Sequence, residues 1–130
     1  MSQFGSQIHR RSRTKSAGNG KKIIKARDKR RSELGNYFSA TKLSEKDARV
    51  AMRRRGGNRD VRLKHAAIAN VLTKAGYKKA KISGVVESKD NRNFARQNII
   101  TKGSLISTEL GNAVVLNRPG REGFINARLV

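Results

Sequence analysis

The stretch RRRGGNRD, Arg53 to Asp60, gathers the side chains best suited to chemistry in this sequence. Arg53, Arg54, Arg55 and Arg59 carry planar guanidinium forks that match phosphate oxygens two at a time. Gly56 and Gly57 permit positive φ and a close approach of backbone to a ligand. Asn58 tolerates the left-handed region and can both donate and accept hydrogen bonds. The chemistry of such a set is anion binding. It is not a nucleotide-binding P-loop, which needs a glycine, four residues and then Gly-Lys-Ser/Thr; that spacing and GxGxxG are both missing. The bland alternative is a hairpin loop with solvated arginines. Solubility alone, however, does not call for four mutually repelling charges around one turn.

A second block of cations precedes it. Arg10, Arg11, Arg13 and Lys15 come first, followed by the turn-like SAGNGKK with Lys21 and Lys22. Lys25, Arg27, Lys29, Arg30 and Arg31 complete the run. Like-charged blocks of this kind serve as interaction tails for nucleic acid. The alternatives are a solubilising tail or a membrane-surface helix. The latter needs large apolar residues, and only Ile23, Ile24 and Leu34 are at hand.

Catalysis finds little to work with. The 9 acidic residues are scattered, and Glu45 and Asp47 sit two apart in a charged stretch that reads as a turn or helix start. No GxSxG or HExxH motif occurs. His9 and His65 are too far apart in sequence to read as a metal-ligand pair, and His65 reads as a packed or surface side chain. The absence of cysteine excludes disulfides, thiol catalysis and cysteine-based zinc sites. The six aromatic residues are too few for a paired stacking platform, and Phe124 reads as core. Recognition is therefore expected to run through phosphates and shape.

The elements that must position these groups divide the chain in two. With 31 Lys and Arg against 9 Asp and Glu over 130 residues, the net charge is +22, which calls for a strongly negative neighbour. Residues 1–40 carry a net +9 and only six Leu, Ile, Val or Phe; residues 41–130 carry 23. The first segment is expected to be a basic extension, disordered when free, in which KKIIKARDKRRSELG could form one short helix ending at Gly35. The second reads as short strands: ARVAMRR with Val50 and Met52, VRL with Val61 and Leu63, AKISGVVES, NII, SLIST, NAVVL and GFINARLV. Strands spaced this way and separated by glycine turns indicate an antiparallel barrel or sandwich. A barrel is favoured because closure removes exposed edges. One segment resists: Ile68, Val71, Leu72 and Ala75 recur at helical spacing, with Gly76 placed as a C-cap.

RRRGGNRDVRL, followed by VVESKDNRNFARQNIITKGSLISTELGNAVVLNRPGREGFINARLV, resembles the archaeal form of the eukaryotic-type S-eight family of the small ribosomal subunit, which is distinct from the bacterial protein with the same numeral. RGGN (Arg55–Asn58) and NIITKG (Asn98–Gly103) carry the resemblance, supported by KARDKRRSELG, TELG and RPG. It implies a non-enzymatic, cytoplasmic structural constituent of the ribosome. The implied partners are small-subunit ribosomal RNA and neighbouring ribosomal proteins, with no cofactor, metal, membrane attachment or homo-oligomer. The fold it implies is mainly β: a small antiparallel β-barrel at 41–130 with a long basic N-terminal extension at 1–40. It also implies a strand at Ala67–Thr73, against the helical spacing, and makes RRRGGNRD a loop joining two barrel strands. The competing function is a chromatin-type DNA-packaging protein, for which no intercalating wedge is evident.

Overall fold

The computed structural model describes residues 37–130. The expectations for residues 1–36, including the helix ending at Gly35, lie outside the described residues. A compact unit runs from Ser39 to Val130. Its elements are β1 (Lys42–Leu43), β2 (Ala48–Arg53), β3 (Arg59–Ala66), β4 (Ile68–Thr73), β5 (Gly76–Glu87), α1 (Arg92–Arg96), β6 (Leu105–Thr108), β7 (Gly111–Val115), α2 (Pro119–Glu122) and β8 (Asn126–Leu129). The fold is mainly β, as expected.

Strands β4 to β8 close into a five-stranded barrel. Four of its pairings are antiparallel, but β4 and β8 pair in parallel, Val71 opposite Ala127. The expected antiparallel barrel is thus present, and its one parallel seam follows from counting. Five strands that alternate in direction bring the first and last together pointing the same way, so an odd barrel needs one parallel seam. The remaining strands form a separate sheet in the order β1-β3-β2, with β2 and β3 antiparallel and β1 parallel to β3. The RRRGGNRD turn joins β2 to β3 of this sheet, and so does not connect two barrel strands.

Five strands leave a narrow interior, and the inward residues are small or branched: Ala69, Val71, Ala80, Ile82, Ile106, Ala113, Val115 and Ala127. Leu63 and Ala66 of β3 join the same core. That narrowness explains the misleading spacing in β4. Its one alanine, Ala69, is small because it faces that interior, and the burial of Ala69 and Val71 against the exposure of Ile68 has the period of a strand. Gly76 is a turn residue rather than a helix cap, its carbonyl accepting from Thr73 Oγ1 at 2.7 Å across the two-residue β4–β5 turn. The same Thr-x-x-Gly device recurs in TELG, where Thr108 Oγ1 donates to the Gly111 carbonyl at 2.7 Å.

Other readings shift as well. NII contributes only an isolated bridge, Ile99 to Lys42. Its loop is built from buried hydroxyls: Ser104 Oγ accepts from the Thr101 backbone N–H at 3.0 Å and meets Thr101 Oγ1 at 2.8 Å. Ser104 is fully buried. Ser104→Ala therefore leaves a buried N–H without its acceptor, and is expected to lower unfolding free energy by about 1–3 kcal/mol in a denaturant titration. Phe124, expected in the core, is largely exposed; Ile125 takes the inward position. Val50 and Val61 are likewise exposed.

Candidate nucleic-acid interface

The turn between β2 and β3 has a simple construction. The ladder runs out at Arg53 opposite Arg59, and the Arg54 N–H donates to the Asn58 carbonyl at 2.7 Å. Arg55–Gly57 form a single 3-10 turn, followed by Asn58 in extended backbone, not in the left-handed region allowed for it above. The two glycines supply the reversal instead, with φ of 76° and 79°, and a Cβ on either would meet open space. They are required for backbone conformation and leave the tip of the loop bare.

The four arginines do not share one fate. Arg54 Nε donates to Asp60 Oδ2 at 2.5 Å, so Arg54 is held against the sheet. Arg53, Arg55 and Arg59 are exposed and have no hydrogen bond or ion pair among the described residues. Arg53 and Arg59 stand directly opposite each other, an arrangement that costs stability in the free protein. Below the turn, Arg54, Asp60, Arg62 and Arg121 line a pocket of about 260 Å³. Arg62 is buried, and neither it nor Arg121 was singled out from the sequence. Their signals, a single arginine in VRL and another in RPGREG, are meaningless until the fold brings them beside the turn.

Helix α2 is what places Arg121 there. Pro119 starts the helix, and Glu122 reaches back to accept from Asn117 Nδ2 at 3.0 Å and from the Arg118 N–H at 3.2 Å. The Asn117 amide, with the Arg118 N–H second, holds the Glu122 carboxyl below the usual carboxylate range. Arg49 ties the helix end to β2, its Nε donating to the Gly123 carbonyl at 2.7 Å and its Nη2 pairing with Asp47 at 3.0 Å. Asp47 Oδ1 also accepts the Ala67 N–H at 2.7 Å. Asp47, at the charged stretch with Glu45, is thus a structural acceptor. The candidate cations Arg10 to Arg31 lie outside the described residues.

Among the described residues no group of His, Asp or Glu is arranged to hold a metal ion, and no helix is long and apolar enough to cross a membrane. What the geometry defines is a small, strongly basic β-barrel protein with a second small sheet that carries an arginine-tipped hairpin. The model of the family ribosomal protein S8e matches residues 10–130, and the chain belongs to that family. It is 48% identical over 113 residues to small ribosomal subunit protein eS8 of Hyperthermus butylicus, covering 85% of this chain and 83% of that one. The corresponding protein of Sulfolobus acidocaldarius is 50% identical over 108 residues, covering 82% and 84%. That of Sulfurisphaera tokodaii is 47% identical over 113 residues, covering 85% and 88%.

Proposed function

We propose that this chain is a structural constituent of the small ribosomal subunit in an archaeal cytoplasm, where it binds ribosomal RNA through phosphate contacts, lies among other ribosomal proteins and supports subunit assembly. Family membership supports the ribosomal role. The observation that carries the RNA reading is the pair Arg53 and Arg59, directly opposed and exposed at the root of a bare glycine turn. Such a pair is unfavourable in isolation and becomes favourable when phosphates neutralise it. The proposed contacts are Arg53, Arg55, Arg59 and the backbone of Gly56, Gly57 and Asn58, together with the basic arm from Arg10 to Arg31. Arg54 serves mainly to hold the turn on Asp60.

Neutralising phosphates releases counterions, so the affinity of the full-length chain for a small-subunit RNA fragment is expected to fall steeply with salt. With about six to ten contacts, a plot of log affinity against log salt should slope between about −4 and −9. Binding isotherms at several salt concentrations measure this directly. A flat response would show that apolar contacts or base readout dominate and would overturn the phosphate reading.

A further inference from the structure

We infer that the outer face of β4, β5 and β8 is a second RNA contact, in which Tyr77 stacks on an unpaired base while Lys79 and Arg128 meet the adjoining phosphates. This rests on the RNA-binding reading above and extends it to a surface and a mode of recognition outside the arginine hairpin. The strand register places the residues. Leu72 of β4 lies opposite Tyr77 of β5 and, on its other side, opposite Arg128 of β8. Asn70 lies opposite Lys79 and Asn126, and its Nδ2 donates to Asn126 Oδ1 at 3.1 Å, which fixes this as one shared face. The alternate residues, Ala69, Val71, Ala80 and Ala127, are buried inside the barrel, so the row of Tyr77, Leu72 and Arg128 points outward.

Tyr77 is 61% exposed, and its hydroxyl has no partner among the described residues. A tyrosine serving only the sheet would be covered by its neighbours; this one is left exposed. The ring stands among cations from two strands, with Lys81 one step further along the face. Lys79 is two residues along the same strand, about 6.7 Å at the rise of a β-strand. An aromatic ring beside cations on an open sheet suits a single-stranded nucleotide, whose base stacks while its phosphate is neutralised. An acidic protein segment would use the cations and leave the ring idle.

The chain has two tyrosines and no tryptophan, so Tyr37→Phe makes Tyr77 the sole tyrosine reporter in the full-length protein. That variant is titrated with a 12-nucleotide single-stranded RNA, with inorganic polyphosphate and with polyglutamate, following tyrosine emission. RNA is expected to quench it, while the other two polyanions bind without quenching. In parallel, Tyr77→Ala in the full-length chain should weaken RNA binding roughly 5- to 150-fold with the salt slope unchanged, and Tyr77→Phe should retain the affinity. Lys79→Gln should instead reduce the slope by about 0.7. If polyphosphate or polyglutamate quenches as strongly as RNA, the ring senses only charge or an acidic partner, and the stacking assignment is wrong. If the wild type binds RNA with a steep slope but Tyr77→Ala binds equally well, the hairpin reading stands and this one falls. If the wild type shows no salt-dependent RNA binding, both fall.

Discussion

Replacing Arg53, Arg55 and Arg59 together by alanine is expected to leave the protein folded and to remove a large share of its RNA affinity. The three side chains are exposed and have no partner among the described residues, so the fold loses no contact. Separating the opposed pair Arg53 and Arg59 removes a repulsion, and the unfolding free energy should hold or rise by up to about 0.5 kcal/mol. Arg54 is kept because its removal would strip Asp60 of its partner and confuse stability with binding. If each arginine neutralises one phosphate, the slope of log affinity against log salt becomes shallower by about two to three units, and incorporation into reconstituted small subunits falls with it. The measurement pairs a melting curve with binding isotherms at several salt concentrations. Stability retained with an unchanged slope would make the turn a solvated loop and transfer RNA contact to the arm between Arg10 and Arg31.

The largest loss of stability from a single methyl group is expected at Gly123. This residue ends α2 with a φ of 77°, and its carbonyl receives Arg49 Nε at 2.7 Å. A Cβ placed there would stand 2.9 Å from Val61 Cγ1 and 3.3 Å from Val61 Cβ. Gly123→Ala therefore meets two independent penalties. The left-handed backbone costs about 1–3 kcal/mol for a residue with a Cβ, and overpacking against β3 adds a similar amount. A small entropic gain in the unfolded chain offsets part of this. A net loss of about 2–5 kcal/mol is a large fraction of the roughly 5–15 kcal/mol that holds a domain together. Adding Val61→Ala separates the two causes, because it removes the 2.9 Å overlap with Cγ1 and leaves the φ strain and the 3.3 Å contact with Cβ. In urea titrations the double variant should be more stable than the sum of the singles predicts, by about 1–3 kcal/mol. Strict additivity would show that the Val61 Cγ1 methyl yields without cost.

The basic, glycine-turned character of the hairpin, the mainly β body and the family were all legible in the sequence, because each rests on local information. Charge is carried by residue type, glycine pairs mark reversals, and NIITKG and TELG are compact, distinctive runs. NIITKG builds the fold through Thr101, whose backbone N–H and hydroxyl both meet the Oγ of Ser104 just beyond it. β4 was not legible. Ile68, Val71 and Leu72 mimic a helical spacing, and the constraint that makes them a strand, pairing with β5 and β8, includes a strand far away in the chain. The arginines also looked equivalent in sequence. Only the folded structure decided that Arg49 and Arg54 hold the structure together, that Arg62 is buried beside Arg54 and Arg121, and that Arg53, Arg55 and Arg59 are exposed. A guanidinium's role is set by which acceptor reaches it: Asp60 reaches Arg54 within the hairpin, whereas the Gly123 carbonyl is delivered to Arg49 by tertiary structure from 74 residues away.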